Sequence, residues 1–345
     1  MSQETTLQDV ARAAGVHRST VAMALRDSSR ISLPQRRKIQ DLARKMGYRI
    51  NPLVAALMKS RRSGTPLKAA AIAYVTCYPT RWGWRPPHID RPDYFPGAEA
   101  RAAKLGYRLD HFWLAEPGMK VERFCDILQN RAIHGVLLGR LPPGLHEMEL
   151  LWDRFSCVAL GRTLHRPQLH RVTEDHFASC SLAVDRLLAL GYRRIGLVFS
   201  EPDDSPGVGD RWLGAFARKQ MSMAPRDRLP CLWHEAAQPS PAAFEQWYRG
   251  CRPEAILATQ AEPVLQWLDG MGKQVPRDVS VATLVNDHLD RGWAGVHSDP
   301  DLMGSLATEM LVGLMHRSET GIPAAPHEVL LPGEWRDGAT CRRAS

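Results

Sequence analysis

Apolar residues recur at helical spacing through the first fifty positions. Leu7, Val10 and Ala11 share one stripe behind Thr6, and Thr6 with Asp9 has the spacing of a capping box. The pattern predicts a first helix to about Ala13 or Ala14, a sharp turn at Gly15 and an apolar anchor at Val16. A second helix over 17–25 would turn Val21, Ala24 and Leu25 inward, and the small side chain of Ala11 lets the two helices cross closely. Ser32 as cap, Pro34 in the first turn and the stripe Ile39, Leu42, Ala43 and Met46 before Gly47 predict a third helix. Asn51 and Pro52 open one more helical pattern, Leu53–Met58, too short to be stable alone in water. Helix, glycine turn, helix is the order of a helix-turn-helix unit.

Beyond residue 66 the period changes. Short apolar runs at Ala69–Val75, Tyr107–Leu114, Gly135–Leu138 and Val158–Leu160 alternate with helical patterns at Pro96–Leu105 and Val121–Asn130. The rhythm restarts after Val172. Helical patterns at Phe177–Leu190, Trp212–Lys219, Val264–Met271 and Leu302–His316 then alternate with strand-like runs at Ile195–Phe199, Ile256–Ala258 and Val279–Leu284, and Val329–Leu331 is strand-like near the end. Such alternation predicts α/β structure with parallel sheets, here two similar lobes with a cleft between them. The expected domains are a helix-turn-helix head at 1–50, a short helix and linker at 51–66, and a body at 67–345. Its first lobe takes about 67–165 plus 291–323, and its second about 170–290 plus 326–345.

Charge sharpens the picture of the head. Met1–Pro66 holds 13 Lys or Arg against 4 Asp or Glu, whereas the chain as a whole is +8, so the body is near neutral. A compact positive head on a near-neutral body predicts a polyanion-binding module. On the outer face of the second helix, Arg18 can make a bidentate contact to guanine and Ser19 can donate to a base or phosphate. Met23 beside them would read a methyl group or pack on the surface. Arg12, Arg26, Arg30, Arg36 and Arg37 lie on other elements and suit phosphates. The short apolar helix on its basic linker would fold against its copy in a dimer, inside a DNA groove.

Composition excludes several classes. With 44% apolar and 24% charged residues the chain is not disordered along its length. No apolar run approaches the roughly 18 residues that span a bilayer, and Met1–Thr6 runs into a helix pattern without a signal peptide. Seven cysteines without a Cys-x-x-Cys pair suggest reduced thiols in a cytosolic protein and no metal site. His88, His176 and His297 could be imagined as acid–base groups, but no nucleophile elbow, phosphate loop, zinc motif or dinucleotide fingerprint accompanies them, so no catalytic residue and no cofactor is expected. Segment 76–96, with Trp82 and Trp84, follows the first strand, where parallel folds bind ligands. It reads either as a cleft-side lid or as a surface insertion.

The head resembles the LacI/GalR family of bacterial transcription regulators. The resemblance rests on Thr6–Val16, Val21–Leu25, Arg30–Ile31–Ser32, Gly47–Tyr48 and Asn51–Pro52, and continues more softly through Leu190–Ile195, Arg211 with Gly214–Phe216, Val275–Val281 and Pro300 before Gly304. It implies a three-helix head with a hinge helix, and a body like periplasmic sugar-binding proteins that closes two lobes on a small effector and dimerises. It places Leu57 as a lever in the minor groove and Arg211 in the effector cleft. The residues then expected on DNA are Thr6, His17, Arg18, Ser19, Thr20, Met23, Arg30, Tyr48, Asn51, Ala55 and Leu57. Those expected at the effector are Trp82, Trp84, Asp175, Arg211, Asn286 and Asp287. The chain departs from the family at His17, Ala22 and Met23, which points to a different operator, and around Thr259–Gln260 and Thr283–Asn286, which makes a sugar effector doubtful.

The function expected is a cytoplasmic, nucleoid-associated bacterial regulator, in the sense of a repressor. It would bind a palindromic double-stranded operator as a homodimer and answer to a small-molecule effector of unknown identity. The alternative is a DNA-binding or architectural protein with a vestigial, ligand-free cleft. An enzyme or a periplasmic binding protein fits the basic head poorly.

Overall fold

The computed structural model describes residues 6–25, 30–46, 48, 70–86, 93–201, 208–235, 240–287 and 289–342. They fall into two compact units, a head and a body. The head has three helices, α1 (Leu7–Ala14), α2 (Arg18–Ala24) and α3 (Leu33–Lys45). Their core is Val10, Ala11, Val21, Ala24, Ile31, Ile39 and Ala43. Ala11 sits in it as expected, and Gly15 ends α1 in the left-handed region with φ 63°.

The body runs β1 (Ala70–Thr76), α4 (Phe95–Lys104), β2 (Tyr107–Trp113), α5 (Val121–Asn130), β3 (Gly135–Leu138), β4 (Ser156–Leu160), β5 (His170–Glu174), α6 (His176–Ala189), β6 (Ile195–Glu201) and α7 (Val208–Met221). It continues with β7 (Leu232–Glu235), α8 (Pro241–Cys251), β8 (Ala255–Ala258), α9 (Ala261–Gly270), β9 (Ser280–Thr283), β10 (Ala294–His297), α10 (Pro300–His316), β11 (Glu328–Leu331) and β12 (Glu334–Arg336). Two six-stranded sheets result, in the orders β11-β5-β4-β3-β1-β2 and β12-β10-β9-β8-β6-β7. Every pairing is parallel except β10 with β12. Alternate residues of each second-lobe strand enter different cores. Ile195, Leu197 and Phe199 face α6 and α7, while Val198 joins Phe244, Trp247 and Leu268 on the other side. Burial on both faces is why these strands are apolar runs rather than alternating ones.

The lobe boundaries differ from those expected. His170–Glu174 pairs with β4 in the first sheet, Ala294–His297 pairs with β9 in the second, and Glu328–Leu331 pairs with β5 in the first. The three crossings between lobes therefore lie at 174–176, 297–300 and 331–334, not near 165–170, 290 and 323–326. The crossings lie together: the amide of Asp175 donates to Leu331 O at 2.7 Å, tying the first to the third. The pattern Leu53–Met58 lies outside the described residues. No helix among the described residues is long and apolar enough to cross a membrane. All seven cysteines are free thiols.

Candidate functional site

In the head, the first turn of α2 is set by its neighbours. Thr6 and Asp9 form the capping box that starts α1: the amide of Asp9 donates to Thr6 Oγ1 at 3.3 Å and the amide of Thr6 donates to Asp9 Oδ2 at 2.9 Å. These bonds hold the Asp9 carboxyl below its usual range, the Thr6 side chain first among the causes. After the Gly15 turn, His17 caps α2. Its Nδ1 accepts from the amide of Ser19 at 3.3 Å and lies 2.8 Å from Ser19 Oγ. At the other end of α2, Gln40 Nε2 donates to Ala24 O at 2.9 Å.

The structure puts His17, Arg18 and Ser19 on one exposed edge, with Thr20 partly covered. Met23 and Tyr48 instead pack partly against the head core. Met23 therefore leans to the packing side of the two roles expected for it. Arg30 is exposed, and Arg36 is partly drawn back, donating from Nη2 to Ile31 O at 3.2 Å. Asn51, Ala55 and Leu57 lie outside the described residues.

In the body, the carboxyl ends of parallel strands from both lobes supply the polar groups of the cleft. Arg140 follows β3, Glu174 ends β5, Asn286 and Asp287 follow β9, Ser298 follows β10, and Arg211 and Trp212 lie in the first part of α7. Glu174 is the centre. Burial raises its carboxyl to about 7, Asp287 pushes the same way, and the Ser298 and Ser179 hydroxyls and Arg140 pull back. Its Oε2 lies 4.0 Å from His176 Nε2. Burial takes that imidazole down to about 3, helped by the fields of Arg162, Arg140 and Arg211, so His176 is neutral. The His176 ring meets Trp212 edge-on at 5.2 Å. Tyr94 hydrogen-bonds with Arg140, and burial raises its phenol. Beside this group, Arg162 holds Glu328 through two bonds of 2.7 and 3.2 Å, and Arg171 approaches it at 3.4 Å. Burial works against the Glu328 charge, yet Arg162 and its neighbours keep that carboxyl below its ordinary range.

The expected effector residues part company here. Arg211, an exposed residue, and Asp287 lie near enough for their fields to act on His176 and Glu174. Asp175 plays a structural part, because its Oδ1 accepts from the amide of Ala178 at 2.9 Å and caps α6. Asn286 is buried and donates from Nδ2 to Trp293 O at 3.0 Å, leaving its Oδ1 without a partner. Trp84 is buried against Tyr74 and Phe95 at 5.1 and 5.8 Å, so it belongs to the wall of the first lobe. Arg85 clamps it, lying over its ring at 5.0 Å and reaching Asp93 at 2.5 Å. Trp82 is exposed and its ring lies tilted against His111 at 5.1 Å. Arg140, Glu174, Ser179, Trp212 and Ser298 are not evident from the sequence. A signal exists for two of them: Glu174 and Ser298 stand just where strands end, but β5 and β10 are too short to carry a clear strand pattern. As for metal, no group of three or more His, Cys, Asp or Glu among the described residues could hold one. Of the three histidines singled out, His176 is buried beside Glu174, His297 Nδ1 lies 2.9 Å from Asn286 O, and His88 lies outside the described residues.

Comparison with known proteins adds two matches within the chain. Residues 6–51 match the family described as bacterial regulatory proteins, lacI family, and residues 184–341 match the periplasmic binding protein-like domain. The HTH-type transcriptional regulator PtxS of Pseudomonas plecoglossicida is 26% identical over 83% of this chain and 80% of its own. The HTH-type transcriptional regulator RegA of Clostridium saccharobutylicum is 24% identical over 94% and 98%. Among solved structures, the lac repressor dimer bound to operator and the anti-inducer ONPF aligns with a TM-score of 0.55 at 19% identity, covering 98% of this chain and 99% of that one. The CelR–cellobiose complex aligns at 0.54 and 20%, covering 98% and 100%. At these identities the solved structures speak for the fold alone.

Proposed function

Because this chain belongs to the LacI family of bacterial regulatory proteins, we propose that it represses transcription by binding a palindromic operator as a homodimer, under control of a small molecule held between its lobes. The observation that carries the DNA side is the basic head with His17, Arg18 and Ser19 on one exposed edge of a capped α2. Two such edges in adjacent major grooves would read two half-sites. Arg18 is the base reader, with Ser19 and Thr20 beside it. Thr6, Arg30, Tyr48 and Asn51 are assigned to the backbone, and Ala55 and Leu57 to the minor groove between the half-sites. The ligand shifts a population of lobe angles and so changes how well the two hinge helices meet. This role calls for no cofactor, and it places the protein in the cytoplasm, on the nucleoid.

The buried polar groups left without partners in the cleft favour a ligand-binding body over a vestigial one. The DNA reading is tested by selecting from random duplexes with the full chain. A palindrome should be enriched, and Arg18→Ala should relax the choice at one base pair per half-site at a cost of about 1–3 kcal/mol. A selection that enriches no palindrome would overturn it.

A further inference from the structure

The hinge end of the cleft holds unmet hydrogen-bonding capacity. Among the described residues, His176 Nδ1, Trp212 Nε1 and Asn286 Oδ1 are buried there without a partner, while Glu174 Oε1 and Ser179 Oγ have at most each other. Ser179 is fully buried and Asn286 is 1% exposed. Each such atom costs about 1–3 kcal/mol if nothing ever meets it. They come from four elements that the fold brings together: the end of β5, α6, α7 and the segment after β9. Distances link them. Glu174 lies against His176, His176 meets Trp212, and Asn286 O lies 2.9 Å from His297 Nδ1, one residue before the Ser298 that bonds Glu174.

Their chemistry is specific. Trp212 Nε1 can only donate, and so can Arg211 beside it, which makes no ion pair among the described residues although its field reaches Glu328. Asn286 Oδ1 can only accept. Of the other cations, Arg162 and Arg171 are occupied by Glu328. The fixed charges that face Glu174 or its neighbour His176 are Arg140 from the end of β3, Arg162 after β4, Arg211 from α7 and Asp287 after β9. His176 is neutral, Tyr94 is held un-ionised by burial, and His297 is engaged with Asn286 O. Arg211 and Trp212 Nε1 are thus open donors in a surplus of positive charge, and Asn286 Oδ1 is an acceptor placed for a hydroxyl.

We propose that the cleft takes a small hydroxy-carboxylate rather than a neutral sugar, its anionic group lying against Arg211 and Trp212 Nε1 and a hydroxyl donating to Asn286 Oδ1. This rests on the cleft being the effector site. A guanidinium without an ion pair of its own suits one negative charge. It also couples binding to a proton. The ligand anion favours the acid form of Glu174, which donates its O–H, so binding holds the proton on. Because the Glu174 carboxyl titrates near 7 in the free protein, affinity should be level below pH 7 and fall above it, by up to about tenfold per pH unit.

The full-length protein is titrated by calorimetry and thermal shift with gluconate and glucuronate as anions, sorbitol and glucose as neutral counterparts, and glucosamine as the cation. We expect an anion to bind at least about tenfold tighter than its neutral counterpart, a gap of ~1.4 kcal/mol. Its affinity should drop between pH 7 and 9 in the native protein and stay level in Glu174→Gln. Arg211→Gln should abolish the preference for the anion, and circular dichroism and operator binding report whether each variant is folded. Tighter binding of a neutral or cationic member, an unchanged preference in folded Arg211→Gln, or no binding by any of the five overturns the assignment. Operator selection in the same preparations keeps the two claims apart. A selected palindrome with a neutral ligand bound sinks only the anion, whereas anion binding without operator binding sinks only the regulator.

Discussion

His17 caps α2 through an imidazole where hydroxyl or carboxamide side chains are the usual choice. The Ser19 amide donates to Nδ1, so one ring nitrogen of His17 is spent on the helix, at the edge proposed to read DNA. Replacing His17 by Ala should remove a cap worth about 1 kcal/mol, which a seven-residue helix cannot absorb, and weaken operator binding about fivefold. His17→Ser restores the cap and should recover most of that loss. Equal affinities for the Ala and Ser variants in an operator titration would show that the ring's contact with DNA matters and the cap does not. Residue-scale features are legible where their partners are close in sequence. Thr6 and Asp9 are three apart and their box stands as the spacing suggests. Gln40, sixteen residues from Ala24, and Glu174, whose partners come from separate strands, cannot be read that way.

Among the elements, the packing of α4 against α10 depends on two glycines. A Cβ on Gly97 would stand 2.0 Å from Asp301 O, and one on Gly304 would stand 2.1 Å from Tyr94 O. The helices cross with backbone nearly touching backbone, and Thr308 Oγ1 bridges them with a 3.3 Å bond to Ala98 O. Gly304→Ala should therefore destabilise the body by about 1–3 kcal/mol despite the better helix propensity of Ala. Gly214 is also helical, but a Cβ there meets nothing within 4 Å. Gly214→Ala should raise stability by about 0.5–1 kcal/mol. Urea midpoints of the two variants check the pair, and the same sign for both would refute the crossing argument. The elements expected from long, strongly periodic segments are present, among them α5, α6 and α10. Of the elements not expected, α8 has eleven residues and a legible start, Ser240 as cap and Pro241 in the first turn; the others are short or lie at sheet edges. β7 has four residues on an edge, and β5 reads His-Arg-Val-Thr-Glu, only its middle being apolar or β-branched. β10 is four residues led by Ala and Gly. Such segments become strands because neighbours pair with them, not from their own preference.

For the whole molecule, the consequential residue is Leu57. If its side chain wedges between bases at the centre of the operator, Leu57→Ala should weaken operator binding about tenfold or more, ~1.4 kcal/mol, while leaving non-specific binding nearly unchanged. Gel-shift titrations on the selected palindrome and on a scrambled duplex check this, and an equal loss on both would refute the wedge. The amino-acid sequence alone determined the division into a basic three-helix head and an α/β body, the order of most elements and the family resemblance. Those properties live in local periodicity, capping residues, glycine turns and the distribution of charge, which survive without knowledge of neighbours. Only the tertiary structure decided where the chain crosses between lobes, because a strand's sheet is chosen by its pairing partner: β5 and β10 each join the strand just before them, and β11 pairs with β5 far back along the chain. It alone also assembled the cleft, since Arg140, Glu174, Trp212 and Asn286 are distant in sequence, and burial, which no single residue carries, sets the charge they share.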